Sequence, residues 1–304
     1  MYRFREILIA LDLSSTDDKL IQYGLGVANV VEAEEVIFMH VAKDTDLTQL
    51  VEEDGKKITL KEKYEKKINR TIEAYSKLIS GVRTITEVVA GDPLTVMLQA
   101  SKEQKVDLII VGRKSVGEGS GKVSRALTRR ALCSVLSVPF NAKAELKTVI
   151  LPIDYSDFSK MAVEKAISFA KNRPEIEIIC LNIYALPQGY LSSGKTEEEF
   201  AEIMKQNSEK RFNHFMKQFD LENVKIRPHF QLDTKNFFAK IIFNIALVND
   251  ADLIIIGSRG RTTMAAAFLG STTEKLLKQN ISIPTLILKK RRNNLGFFEA
   301  LLRI

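Results

Sequence analysis

Asp252-Leu-Ile-Ile-Ile-Gly257-Ser-Arg-Gly260-Arg-Thr-Thr-Met-Ala-Ala-Ala-Phe-Leu-Gly270-Ser271-Thr272 is the stretch whose reading decides the fold, together with the run Glu274-Lys-Leu-Leu-Lys278 just after it. The β-branched run closing on Gly257 reads as a short strand buried on both faces, as in a parallel sheet. A glycine loop follows, then a segment of helical character. Strand, glycine loop and helix in that order suit phosphate: glycine lets backbone N–H groups approach anionic oxygens, and a helix start adds unpaired N–H groups and a positive dipole end. Ser271 and Thr272 fall where that helix begins, so each can cap it or offer a hydroxyl to a phosphate. Arg259 and Arg261 either neutralise phosphate charge or are solvated loop charges, and the residues alone leave both readings open.

Outward from this stretch, the chain repeats itself. Asp107-Leu-Ile-Ile-Val-Gly112 matches Asp252-Leu-Ile-Ile-Ile-Gly257 at an offset of 145 residues. Ile7-Leu-Ile-Ala-Leu-Asp12-Leu-Ser14 matches Val149-Ile-Leu-Pro-Ile-Asp154-Tyr-Ser156 at 142, each an apolar strand closing on Asp-x-Ser. Ser137-Val-Pro139 matches Ser282-Ile-Pro284, again at 145, so the alignment between the last two landmarks is read without a gap. The expected organisation is a first domain over residues 1–145, a second over 146–290 and a basic, amphipathic tail over 291–304.

Within each copy, β-branched runs alternate with longer segments of helical period, the pattern of βα units building a parallel sheet. Strands are predicted at about 5–11, 35–41, 84–89, 107–112 and 138–142, then at 148–153, 176–183, 225–231, 252–257 and 284–288. Tyr64, Ile68, Ile72, Tyr75 and Ile79 place one apolar stripe on a helix, and Phe212, Phe215, Met216 and Phe219 do so in the second copy. Ser15, Ser156 and Gly91-Asp-Pro93 mark helix starts. The fold class is therefore α/β, two tandem doubly wound parallel-sheet domains. In such sheets ligands gather beyond the carboxyl ends of the strands at the topological switch point.

Gly, two residues, Gly, nine residues, Gly-Ser, as in Gly257, Gly260, Gly270 and Ser271, resembles the nucleotide signature of the ATP-binding universal stress proteins. The strand ending in Asp154-x-Ser156, the strand ending at Gly257 and the terminal Ile283-Pro284 strand are similar to that family too, and the resemblance covers both copies. It implies an adenine nucleotide α-hydrolase-like fold with pseudo-twofold related domains. It also implies ATP, with or without Mg2+, in the second domain. Gly257, Gly260, Gly270 and Ser271 would line the triphosphate, and Asp154 would approach the adenosine. Members of the family pair through their last strands, which here would be an internal pairing. A further homodimer and an unknown protein partner stay open.

The first copy departs from this signature. Read at an offset of 145, Ser115, Arg125 and Ala126 replace the second glycine, the third glycine and the serine, which puts nucleotide binding there in doubt. Gly117-Glu-Gly-Ser-Gly121-Lys122-Val123 looks superficially like a P-loop, but Val116 and Val123 occupy two of its required positions.

Composition excludes several classes. With 45% hydrophobic and 27% charged residues, the 304-residue chain is that of a folded globular protein. Its apolar runs are far shorter than the roughly 20 residues of a membrane helix, and the first residues carry no secretory pattern, so a cytoplasmic location is expected. Cys133 and Cys180 are expected to be buried reduced thiols, and His40, His214 and His229 lack ligand spacing, so no metal site is expected. Of the net charge of +7, a net +4 falls in the last sixteen residues, so no nucleic-acid partner is expected. That tail reads either as a contact for anionic membrane or as a short helix packed on the body, the second being favoured. No nucleophile with an adjacent base and no pair of carboxylates near the loop can be assembled, so the catalytic residues expected are none, with weak ATP hydrolysis at most. The expected role is a nucleotide-responsive regulatory or stress-tolerance protein. The alternatives are a nucleotide-free scaffold and an adenylating enzyme, whose Ser-Gly-Gly-x-Asp-Ser loop is absent from both copies.

Overall fold

The computed structural model describes residues 3–79, 81–113, 121–143, 145–171, 173–187, 189, 194, 196–260, 269–280 and 282–290. Arg261, Ser115 and the tail 291–304 lie outside the described residues.

In the first half, β1 (Glu6–Leu11), α1 (Asp17–Val30) and β2 (Glu35–Ala42) are followed by α2 (Asp44–Leu47) and a hairpin of β3 (Leu50–Glu53) and β4 (Lys56–Thr59). Then come α3 (Leu60–Ala74), β5 (Arg83–Ala90), α4 (Pro93–Glu103), β6 (Leu108–Arg113), α5 (Lys122–Arg130) and β7 (Ser134–Pro139). The second half runs β8 (Thr148–Ile153), α6 (Asp157–Ala170), β9 (Glu177–Tyr184), α7 (Glu197–Met216) and β10 (Lys225–Leu232). It ends with α8 (Phe238–Val248), β11 (Leu253–Gly257), α9 (Ser271–Gln279) and β12 (Thr285–Leu288).

Ten strands form one sheet in the order β10-β9-β8-β11-β12-β7-β6-β1-β2-β5. Every pairing in it is parallel except β12 with β7 at its centre. Each half is doubly wound, with switch points between β1 and β6 and between β8 and β11. Because both faces are covered by helices, the strands are near-continuous apolar runs. On one face a single core joins the two halves, from Ile7, Ile9 and Phe38 to Leu151, Ile178 and Phe212. On the other, two separate cores lie under α4 and α5 and under α8 and α9.

The register corrects the gapless alignment. Ile109 pairs with Val135, and its counterpart Ile254 pairs with Thr285. Val135 therefore corresponds to Thr285 and Leu136 to Leu286, an offset of 150. Ser137-Val-Pro139 lies within and ends β7, whereas Ser282-Ile-Pro284 precedes β12, so the two tripeptides are not equivalent. The strand expected at 138–142 accordingly sits at Ser134–Pro139. Leu136 pairs with Leu286 in the antiparallel ladder, so two equivalent residues face each other and mark the pseudo-twofold axis.

Local chemistry accounts for most element ends. Asp92 caps α4 through the Thr95 N–H at 2.9 Å, with Pro93 in the first turn. Ser156 Oγ accepts from the Ser159 N–H at 3.2 Å and starts α6. Ser15 does not cap α1, which begins at Asp17 after Thr16 with no side-chain cap. The Tyr64 stripe is helical only as far as Ala74; Tyr75 ends α3 and Ser76–Leu78 is a 3-10 turn. Ile68 and Ile72 are its buried members.

Candidate functional site

The site grows from the carboxyl ends of β8 and β11, the two strands flanking the second half's switch point. β8 delivers Asp154, and Tyr155 after it takes φ +65, which turns the chain into α6. Asp154 Oδ1 accepts from Ser159 Oγ at 2.6 Å and from the Ser156 N–H at 3.1 Å. The Asp154 N–H in turn donates to Ser159 Oγ at 2.9 Å. A hydroxyl one turn into the helix thus orients this carboxylate.

The glycines then take their places for steric reasons. A Cβ at Gly260 would lie 2.7 Å from Asp154 Oδ2, so the loop backbone rests against the carboxylate. A Cβ at Gly257 would meet Phe158 Cβ at 2.6 Å and the Arg259 carbonyl at 3.1 Å. At Gly270 it would lie 3.3 Å from the Ser258 carbonyl and 3.4 Å from Arg259 Cα, and the Gly270 N–H donates to that Ser258 carbonyl at 2.7 Å. The loop leaves the sheet at Gly257 and returns onto its own beginning at Gly270. Thr273 Oγ1 donates to the Gly257 carbonyl at 3.0 Å and anchors the helix to the strand end.

Gly270 is the N-cap of α9 and has no side chain with which to cap it, so the amide groups around Ser271 and Thr272 can serve an anion. Ser271 is exposed and Thr272 half-buried. The Arg259 guanidinium lies 6.0 Å from the Phe158 ring centre, and Lys290 binds Asp157 at 3.0 Å beside the same ring. Behind the loop, burial lowers the buried Lys289 ammonium to about 8, with Arg259's charge acting in the same direction. The structure therefore brings together Asp154, Gly257, Arg259, Gly260, Gly270, Ser271 and Thr272. Among the described residues no group of three or more His, Cys, Asp or Glu could hold a metal ion.

Ser159 and Thr273, absent from the sequence reading as site residues, hold the two backbone ends in place. Their signal was the spacing Asp154-x-Ser-x-x-Ser159 and a second threonine after Thr272.

The first half resolves differently from its sequence reading. Ser124 Oγ donates to the Gly112 carbonyl at 2.8 Å, the bond Thr273 makes in the second half, and Gly121 is the N-cap of α5. Gly121 and Lys122, not Arg125 and Ala126, therefore occupy the places of Gly270 and Ser271. The loop from Gly112 is four residues shorter than the loop from Gly257, which the gapless alignment concealed. Gly121 takes φ +53 where Gly270 takes φ −62, so the two caps direct their amides differently. At the start of α1, Asp17 stands where Ser159 stands in the second half. Its Oδ2 accepts from the Leu13 N–H at 2.6 Å and the Asp12 N–H at 3.1 Å. Burial, and then the Asp12 charge, push the Asp17 carboxyl up to about 7. Where the second half has an aspartate–serine pair, the first has two carboxylates.

The universal stress protein family model matches residues 3–139 and, separately, residues 145–289. A universal stress protein of Methanocaldococcus jannaschii is 29% identical over 157 residues, covering 51% of this chain and 88% of that protein. A second from the same organism is 24% identical over 162 residues, covering 48% of this chain and 97% of that protein. The solved structure of a universal stress protein from Archaeoglobus fulgidus DSM 4304 is similar with a TM-score of 0.64 at 19% identity, over 96% of this chain and 99% of that one, a likeness of fold. With one family domain matched on each side of the pseudo-twofold axis, this chain belongs to the universal stress protein family as a tandem of two such domains.

Proposed function

We propose that the second half binds ATP and that its occupancy sets a surface read by a protein partner, the first half serving chiefly as a folding and pairing partner. The observation that carries this reading is the packing of Gly260 against Asp154 Oδ2 while Gly270 closes the loop onto residues 258–260 beneath a helix start whose N-cap is a glycine. The triphosphate would lie over Gly257, Gly260 and the first turn of α9, with Arg259 and Arg261 supplying positive charge, and the ribose would meet Asp154. Mg2+ would then be held by the phosphates and water, since it is bound through few protein groups. The shorter first loop argues against the same ligand in the first half, because its cap at Gly121 directs its amides differently from Gly270.

Isothermal titration of the full chain with ATP and Mg2+, beside a variant carrying Gly260→Asp and Gly270→Asp, tests the proposal. About one ATP per chain, lost in the variant, is the expected result. Nucleotide-free, folded wild type that binds no ATP would leave the scaffold reading instead.

A further inference from the structure

The third strand that each half contributes to the large sheet ends at the ligand end of that sheet, and there the halves differ. β5 ends at Ala90 and Gly91 follows, its N–H donating to the Ala42 carbonyl at 3.0 Å. Its φ is +139, a conformation that L side chains rarely adopt. In the second half β10 ends at Leu232, and the Asp233 N–H makes the same bond, to the Tyr184 carbonyl at 2.8 Å. Asp233 thus replaces a glycine, in the half that carries the full glycine signature.

Asp233 is 4% exposed. Its Oδ1 accepts from the Lys235 N–H at 2.8 Å, while its buried Oδ2 has no hydrogen-bond partner among the described residues. Nearly all buried polar atoms in folded proteins are paired, so an orphan of this kind calls for a donor that the described residues do not supply. Strand alternation assigns its direction: Ile226 and Phe230 pack on the core shared by the two halves, which puts Asp233 on the face of α8 and α9. Asp154 falls on the same face, alternating with Val149, Leu151 and Ile153.

The order β10-β9-β8-β11 places the glycine loop at β11, Asp154 at β8 and Asp233 two strands beyond it, about 10 Å away. A nucleotide with its phosphates at the loop and its ribose at Asp154 extends its base toward β9 and β10. A carboxylate only accepts, so the edge of the base that meets it must donate. On adenine that donor is the 6-amino group; hypoxanthine has a carbonyl oxygen in its place. Resting on the ATP reading above, we infer that Asp233 sets base specificity, its Oδ2 accepting a hydrogen bond from the adenine 6-amino group.

The test is calorimetric titration of the full chain with ATP and with inosine triphosphate, for wild type and Asp233→Asn, with thermal unfolding to check that the variant is folded. Wild type should prefer ATP by about ten- to a hundredfold, the value of a hydrogen bond to a charged acceptor. In Asp233→Asn, whose amide can donate to the inosine carbonyl, the preference should shrink to within about threefold or reverse. Tight ATP binding with equal affinity for inosine triphosphate would overturn this inference and leave ATP binding standing. Undiminished ATP preference in Asp233→Asn would also overturn it, leaving a buried water as the partner of Oδ2. Wild type binding neither nucleotide would overturn both readings.

Discussion

Gly257 and Gly260 stand three residues apart in one loop, yet adding the same methyl group to each should have opposite consequences. At Gly260 the new Cβ would lie 2.7 Å from Asp154 Oδ2, the far end of a short side chain in a half-buried site. The carboxylate can retreat by rotating, but only by giving up the 2.6 Å bond from Ser159 Oγ and the 3.1 Å bond from the Ser156 N–H that aim it. A hydrogen bond to a charged group is worth about 1.5–3 kcal/mol, so Gly260→Ala should weaken nucleotide binding by about 10- to 150-fold. Stability should fall by less than at Gly257, because the displaced carboxylate is half-buried and water can replace part of the two bonds it gives up, and the methyl group itself lands at an exposed position.

At Gly257 the new Cβ would lie 2.6 Å from Phe158 Cβ, an atom tied to the backbone of α6, with the Arg259 carbonyl at 3.1 Å. Neither can rotate away. Overpacking of this kind costs about 1–3 kcal/mol, or about 2–4 °C of melting midpoint for each kcal/mol, and Gly257→Ala should show it with or without nucleotide. Titration calorimetry and thermal unfolding of both variants give the comparison. The double variant Gly260→Ala with Asp154→Ala should lose no more affinity than Asp154→Ala alone, because the group the methyl displaces is already gone. Gly260→Ala binding within threefold of wild type, or additive losses in the double variant, would refute the steric account of the loop.

Two further outcomes follow from buried charge. Asp17 holds a proton more tightly when folded than unfolded, with a pKa of about 7 against 3.8. The folded state therefore binds more protons between these values, and its stability falls as pH rises from about 4 through 7. Asp17→Asn, whose side-chain oxygen can still accept from Asp12 and Leu13, should be more stable than wild type by on the order of 1–4 kcal/mol at pH 8 and equal to it near pH 3; denaturant unfolding at the two pH values checks this. Lys289 Nζ donates to the carbonyls of Thr128 at 2.7 Å and Ala131 at 2.8 Å, closing the end of α5 from the other half of the chain. Lys289→Met would leave those carbonyls buried and unpaired, and should lower the melting midpoint by an amount matching about 1–3 kcal/mol; an unchanged or higher midpoint would show that the buried ammonium costs more than its bonds return.

What the sequence displayed most clearly was whatever burial enforces. Strands such as Leu253–Gly257 and Leu108–Arg113 lie under helices on both faces, so their apolar runs are unbroken and visible without any partner. Asp154 and the three glycines of the second half were equally visible, because close backbone approach admits no other residue type there. The β3–β4 hairpin was overlooked although its turn, Asp54-Gly55 with φ +53 and +75, is the commonest two-residue hairpin signal. Asp233 was invisible for the opposite reason: its meaning lies in an atom unpaired among the described residues, and no sequence pattern shows where a side chain fails to find a partner.

The misplaced last strand of the first half has a physical lesson of its own. Two Ser-x-Pro tripeptides at a constant offset looked like a landmark, but Pro139 ends β7 in the sheet while Pro284 precedes β12 outside it. Register is set by what the strands must satisfy: Leu136 against Leu286 across the axis, and Ser124 or Thr273 on the carbonyl that ends the preceding strand. Those constraints act on the helix and the strand but not on the loop before them, so four residues can be missing from the first glycine loop without disturbing the shared sheet. The same independence explains how one chain sustains two unlike loops. The central ladder, the core common to both halves and the Lys289 anchor depend on the strands and helices alone, which leaves the first loop free to lose its signature while the half that carries it continues to support its partner.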